Sequence, residues 1–364
     1  MAAQNMGSQA ARIGKWKGEI LARAIPCEVL QLAGMQKQMP KNVSDTVVYR
    51  RWVPYNAAVG NPNILIQSGG AVVETEAANR VTTTLTNNLL AEGTTPTPDS
   101  MVAQDITAVL KQYGCLYSYT DQVADLYEDD IADAMKTQVA ERMALVRELE
   151  LYSKVRANTN RFFGGTGTTI VTVNGKITAK LLRKMQRSLA ANHAKKPTSI
   201  LAATPLIGTK PIEASYLVFC STDIDADLRD ATVFPGYTPV AQYGSRKPIH
   251  ENEMGSFEQF RFIGSPELVP LQNAGVVIGA TACVSTGGTN IDVYPLIVVG
   301  QEAYGTVALR GSKSFDLSVI PVGNKDSADP LGQRGYMGAK FYAVSVLLNQ
   351  QWCATAFVGA GDLS

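Results

Sequence analysis

Histidine is nearly absent: His193 and His250 are the two in 364 residues. That leaves little material for histidine-rich metal sites or a histidine-based catalytic triad. The five cysteines, Cys27, Cys115, Cys220, Cys283 and Cys353, are dispersed and form no CxxC pair. Neither a zinc site nor a disulfide framework is suggested, and each reads as a small apolar residue kept in a reducing compartment. No GxSxG elbow, HExxH helix or GK[ST] phosphate loop occurs. The weakly apolar run from Ala274 to Val284 is the longest, far short of the roughly 20 residues that a membrane helix needs. No membrane span is expected, and the basic N-terminus lacks the apolar core of a targeting peptide.

Charge is scarce as well. Charged residues make up 18% of the chain, against roughly 25% in ordinary soluble proteins. Lysine plus arginine number 33 against 32 aspartate plus glutamate, a net charge of +1. A nearly neutral surface favours self-association and argues against a dedicated nucleic-acid binder. At this length the chain can bury a large core or divide into subdomains.

What is present is patterned. Ile13, Trp16, Ile20, Leu21 and Ala24 predict a short basic amphipathic helix over residues 12–25. Met1 to Tyr55 holds eight basic and three acidic residues, an excess of five positive charges. Thr46 to Val53 and Ile106 to Thr120 predict strands, the second with Tyr113, Cys115, Tyr117 and Tyr119 on one face. The Thr-, Asn-, Gly- and Pro-rich stretch between them reads as a long projecting hairpin. A long helix is predicted from Asp121 to Ala157, interrupted near Tyr127. Its apolar stripe is Ile131, Met135, Val139, Met143, Val146, Leu149 and Tyr152. The acidic residues at its start, Asp129, Asp130 and Asp133 among them, fit a solvated helix N-terminus better than a metal site.

Further along, GGTGTT predicts a turn, IVTV a strand, Asn174-Gly175 a second turn, and Thr178 to Ala191 a helix with Leu181, Leu182, Met185 and Leu189 buried. Ser215 to Ser221 reads as a buried strand leading into a short helix. Asp223, Asp225 and Asp227 begin like a calcium loop, but Leu228 stands where glycine is required. Strands are expected at Phe257 to Ile263, Val276 to Val284, Tyr294 to Val299 and Thr306 to Leu309. Pro330, Gly332, Gly335 and Gly338 predict a bent approach to a C-terminal buried hairpin, with strands at Lys340 to Leu348 and Trp352 to Phe357 joined at Asn349-Gln350.

Six blocks resemble the major capsid proteins of tailed bacteriophages, and more narrowly the podovirus N-four-type coat proteins. They are GKWKGEILARAIPCEVL from Gly14, MPKNVSDTVVYRRWVP from Met39, the Asp223 to Asp230 helix start, ENEMGSFEQFRFIGSPEL from Glu251, YPLIVVGQEAYGTVAL from Tyr294 and DPLGQRGYMGAKFYAVSVLLNQQW from Asp329. The resemblance implies an α+β, Hong-Kong-97-like capsid fold: an N-terminal arm (1–45), an extended loop and its base strands (46–120), a spine helix and peripheral domain (121–194), an axial domain (195–322) and a C-terminal return to the peripheral domain (323–364). It also implies self-assembly as pentamers and hexamers into an icosahedral virion shell in the host cytoplasm, around double-stranded DNA held without sequence specificity. Portal, scaffold or decoration proteins would be partners, and no enzyme activity, cofactor, metal or membrane is expected. An encapsulin-like nanocompartment shell is the rival with the same fold. Candidate assembly contacts are Arg12, Lys15, Lys17, Arg50 and Arg51 on the arm side, Asp129, Asp130 and Asp133 as their acidic partners, and Arg334, Tyr336 and Lys340 in the turn leading to the C-terminal hairpin.

Overall fold

The computed structural model describes residues 28–52, 89–96, 103–126, 131–201, 209–244, 248–279, 282–309, 316–325 and 329–363. The predicted helix over 12–25 and most of the predicted projecting hairpin lie outside these residues. In chain order the strands begin with β1 (Met35–Met39), β2 (Thr46–Trp52), β3 (Ala103–Val109) and β4 (Lys111–Thr120). Helices α1 (Asp121–Leu126) and α2 (Ile131–Arg156) follow, then β5 (Arg161–Phe163) and α3 (Ala179–Ala191). The middle holds β6 (Ser199–Leu201), β7 (Thr209–Pro211), β8 (Tyr216–Cys220), the short α4 (Asp225–Leu228), β9 (Thr238–Pro239), β10 (Glu253–Phe257) and β11 (Phe260–Gly264). The chain closes through β12 (Tyr294–Val299), β13 (Tyr304–Leu309), β14 (Asp316–Ile320), β15 (Arg334–Leu347) and β16 (Cys353–Val358).

Two sheets organise these elements. A seven-stranded mixed sheet runs β5-β16-β12-β8-β11-β10-β9. Because side chains alternate along a strand, Tyr216, Val218, Cys220, Leu296 and Val298 enter one core with Leu181, Leu182, Met185 and Leu189 of α3, while Leu217, Phe219, Ile297 and Val299 enter another on the opposite face. The second core is closed by Leu151, Tyr152 and Val155 of α2 and by Val29 and Leu30. A sheet covered on both faces explains strands that are apolar throughout, such as β8 and β12.

The five-stranded sheet is built around β15, which pairs with β4 over residues 334–343, with β14 over 336–340 and with β13 over 343–347, while β13 carries β1 in parallel. Met337, Ala339 and Phe341 face Val139 and Met143 of α2, and Tyr113 of β4 stacks on Phe341 at 5.6 Å between ring centres. On the other face, Tyr49 of β2 and Ala108 of β3 pack with Val307 and Val344. A rise of about 1.5 Å per residue makes α2 long enough to lie on both sheets. Its first turns serve the five-stranded sheet and its last turns the seven-stranded one. The buried sector therefore turns along the helix, leaving Leu149, expected in the stripe, 37% exposed while Leu151 and Val155 are fully buried.

The C-terminal hairpin expected from sequence does not form. β15 and β16 lie in different sheets, β16 pairing with β12 and β5. A 3-10 turn over Gln350–Trp352, capped by Asn349 Oδ1 accepting from Gln351 N at 3.1 Å, carries the chain from one sheet to the other. Gly335 and Gly338 are strand residues of β15 rather than part of a bent approach.

Other expectations also change. The Ile106 to Thr120 segment is two strands, β3 and β4, paired to different neighbours. IVTV is a 3-10 turn over Ile170–Thr172, because the Thr172 hydroxyl accepts from Thr168 N and Thr169 N, each at 3.0 Å. Asn174-Gly175 folds against the preceding glycine turn, Asn174 Oδ1 accepting from Thr166 N at 2.9 Å. The expected Phe257 to Ile263 strand is split by Glu258, whose φ of 51° turns β10 back along β11. Val276 to Val284 forms only isolated bridges among its described residues, Val277 to Asn290 and Cys283 to Gly361.

Candidate assembly surfaces

The base of the predicted projecting hairpin is an antiparallel pair running from Thr46 opposite Val109 to Trp52 opposite Ala103. Arg50 and Asp105 are direct partners in this register. Arg50 Nε and Nη2 donate to Asp105 Oδ1 and Oδ2 at 2.8 and 2.9 Å, a bidentate pair on an exposed face. The hydrogen bond and charge of each raise the Arg50 pKa and lower that of Asp105. Arg51 points to the other face, its guanidinium 5.8 Å from the Trp352 ring, and burial lowers its pKa. A cavity of about 210 Å³ lies here between Met35, Lys37, Tyr49, Arg51, Glu302 and Trp352. Lys37 Nζ stands 4.7 Å from the centre of the Tyr49 ring. Both arginines thus have partners within the chain.

Arg334, Tyr336 and Lys340 lie not in a turn but within β15, where pairing with β4 begins at Arg334; as even-numbered residues they share the face opposite Met337, Ala339 and Phe341. Lys340 Nζ reaches Asp316 Oδ2 at 3.8 Å across the β14 pairing, and the Arg334 backbone donates to Asp329 Oδ2 at 2.8 Å. Leu116 opposite Gly338, and Ile320 opposite Tyr336, are exposed on the same sheet. Gly338 is required by close approach: a Cβ there would lie 2.6 Å from the Cys115 carbonyl oxygen.

Arg12, Lys15, Lys17, Asp129 and Asp130 lie outside the described residues, as does the side chain of Asp133 in the first turn of α2. What the structure shows instead is a buried link between α2 and the start of the described chain. Glu148 is fully buried, and its Oε1 accepts from Leu30 N at 2.8 Å and Val29 N at 3.2 Å. Its Oε2 has no hydrogen-bond partner among the described residues. Burial pushes its pKa up to about 8, against the pull of these backbone donors. Arg147 reaches Glu28 at 3.5 Å, and the Tyr304 hydroxyl donates to the Leu30 carbonyl. In the sequence, Glu148 reads as one more charge on a solvated face, and nothing in its spacing marks it as interior.

Two of the three aspartates of the failed calcium pattern, Asp225 and Asp227, serve separate structural ends. Asp225 pairs with Arg229 at 2.8 Å, and Asp227 accepts from Gly361 N at 2.7 Å while facing Lys176 at 3.6 Å. Among the described residues, no group of three or more His, Cys, Asp or Glu side chains converges on a metal position.

No protein-family model matches the chain. Among curated proteins, the major capsid protein of Pseudomonas phage KPP21 is 24% identical over 263 residues, 67% of this chain and 65% of that protein. The match thus spans just under two thirds of the relative's length. Among solved structures, the capsid of Ralstonia phage GP4 has a TM-score of 0.59 at 10% identity, covering 91% of this chain and 88% of that one. The cyanophage Pam1 capsid gives 0.54 at 14% identity, covering 93% and 92%, and the head of Helicobacter pylori bacteriophage KHP40 gives 0.54 at 12% identity, covering 89% and 87%. The sequence resemblance to tailed-bacteriophage major capsid proteins is borne out, and the fold is the α+β, Hong-Kong-97-like capsid fold.

Proposed function

We propose that this chain is a phage major capsid protein whose copies assemble as pentamers and hexamers into an icosahedral shell around a double-stranded DNA genome. The observation that carries the reading is the match to a coat protein in sequence together with the capsid fold over nine tenths of the chain. The narrower placement among N-four-type coat proteins rests on the sequence blocks.

Physically, the subunit suits a container. Ring contacts between unlike surfaces close a capsomer, and two-fold contacts join capsomers. An arm and a long loop let each copy engage several neighbours, so that individually weak contacts sum to a durable shell. In this reading the five-stranded sheet with the first half of α2 forms the peripheral part and the seven-stranded sheet with α3 and α4 the axial part. This differs from the boundaries expected from sequence: α3, β5 and β16 join the axial part, and β13 and β14 leave it. β2 and β3, paired antiparallel, form the base of the extended loop expected over 46–120. Arg50 and Arg51 brace the base of this loop, whereas Arg334, Tyr336 and Lys340 are offered to a neighbour. Arg12, Lys15 and Lys17 of one copy meet Asp129, Asp130 and Asp133 of another. Portal, scaffold or decoration proteins are further partners. The particle assembles in the host cytoplasm, and the work of the chain is assembly rather than catalysis.

A nanocompartment shell has the same fold, but the sequence match to a phage coat protein favours the virus. Purification of the particles that contain this chain from infected cells, and identification of their contents, tests the choice. Nuclease-protected DNA in particles from infected cells supports the proposal; a packaged enzyme in its place refutes it.

A further inference from the structure

Helix α3 carries Lys180, Arg183, Lys184 and Arg187, all exposed, at positions i, i+3, i+4 and i+7. This spacing puts them in one stripe along about 10 Å of helix. Leu181, Leu182, Met185 and Leu189 hold the opposite side against the seven-stranded sheet. The thirteen residues AKLLRKMQRSLAA include no acidic residue. Like charges three and four positions apart repel, and exposed helices ordinarily interleave glutamate with lysine. Here the repulsion stands uncompensated within the helix.

Partners elsewhere relieve only part of it. Arg183 is neutralised by Glu258, with Nη2 and Nε at 2.6 and 2.9 Å from Oε1. Lys184 Nζ stands 5.7 Å from the centre of the Phe162 ring. No described carboxylate forms an ion pair with Lys180, Lys184 or Arg187. Three uncompensated cations on one rigid helix stand out in a chain whose net charge is +1.

We propose that this stripe contacts the phosphate backbone of double-stranded DNA and faces the interior of the shell. The inference rests on the shell reading above and adds to it a surface and an orientation. Duplex DNA presents one negative charge per roughly 1.7 Å of its axis, so a 10 Å stripe meets about six phosphates. Three lysine and arginine groups can each find one without strict register, and no base edge needs to be read. Neutralising three phosphates per subunit holds DNA weakly and without sequence preference. Affinity then accumulates over many subunits while each contact stays easily broken.

The test is fluorescence anisotropy of a 30-base-pair mixed-sequence duplex, titrated with the full-length unassembled chain at several KCl concentrations. Neutralising three phosphates, with release of their condensed counterions, contributes a slope of about −2.7 in log K against log salt, or roughly 40-fold between 50 and 200 mM. The variant Lys180→Gln, Lys184→Gln, Arg187→Gln is expected to lose that part of the slope. A control with the same charge change elsewhere, Lys41→Gln, Lys111→Gln, Lys325→Gln, should keep it, as should the charge-preserving Lys180→Arg, Lys184→Arg, Arg187→Lys. Equal slopes in the stripe variant and wild type, or an equal loss in the control, overturn the proposal. Tighter binding of polyglutamate than of the duplex at equal charge concentration also overturns it, in favour of an acidic polypeptide partner. Electron microscopy of the same protein brought to assembly conditions separates the two readings. Wild-type shells without the DNA slope defeat this inference alone; the slope without shells under any condition defeats the shell reading.

Discussion

Glu148 Oε1 accepts the backbone N–H of Leu30 at 2.8 Å, joining residues 118 positions apart inside a fully buried site. The same oxygen takes Val29 N, so one carboxyl group fixes the point where the N-terminal segment reaches α2. Glu28, Arg147 and Tyr304 surround it.

This carboxyl should make stability fall as pH rises. Its pKa goes from the ordinary 4.5 to about 8 because burial disfavours the charged form. A raised carboxyl pKa contributes stability that is complete below about 4.5 and is lost progressively as pH climbs towards about 8. Glu148→Gln keeps an acceptor and removes the titration. Urea denaturation between pH 5 and 9 should show a flatter profile for this variant than for wild type, with the variant the more stable at pH 9. Parallel profiles would contradict the assignment. Glu148→Ala orphans two buried donors and should cost about 1–3 kcal/mol for each.

Gly338→Ala should weaken the five-stranded sheet. The new Cβ would lie 2.6 Å from the Cys115 carbonyl, and backbone cannot swing aside as a side-chain tip can. A loss of about 1–3 kcal/mol is expected in urea denaturation. Gly244→Ala, with open space around it, should change stability by less than about 0.5 kcal/mol. Equal effects at the two sites would show that β4 and β15 can separate freely.

Arg50 is expected to act through Asp105 and not through a neighbouring subunit. Arg50→Glu should reduce the yield of assembled particles, and adding Asp105→Arg should restore it, because the swapped pair keeps the same cross-strand register. Particle yield by sedimentation measures this. A double variant as defective as the single one would place the Arg50 charge in an intersubunit contact.

Several elements were legible because one local pattern sufficed. The stripe Leu181, Leu182, Met185 and Leu189 and the cap Thr178 define α3, whose Leu181 N donates to the Thr178 hydroxyl at 3.3 Å. β8 and β12 announce themselves as unbroken apolar runs. The C-terminal pair misled because β15 and β16 are each suited to a central position, and such strands carry no mark of which sheet they join. Leu149 misled because a constant stripe presumes a single partner, whereas α2 passes from one sheet to another. The coat-protein resemblance was legible in sequence blocks, but the contacts were not. Arg51 meets Trp352 and Glu148 meets Leu30 only after distant segments are folded together.

Cryo-electron microscopy of particles assembled from the purified chain, with a scaffold protein supplied, decides whether the chain builds a shell. Closed icosahedral shells are expected, in which the seven-stranded sheet surrounds the pentamer and hexamer axes and the β2–β3 pair lies against an adjacent subunit. Monomers or small closed oligomers persisting under every assembly condition would contradict this expectation.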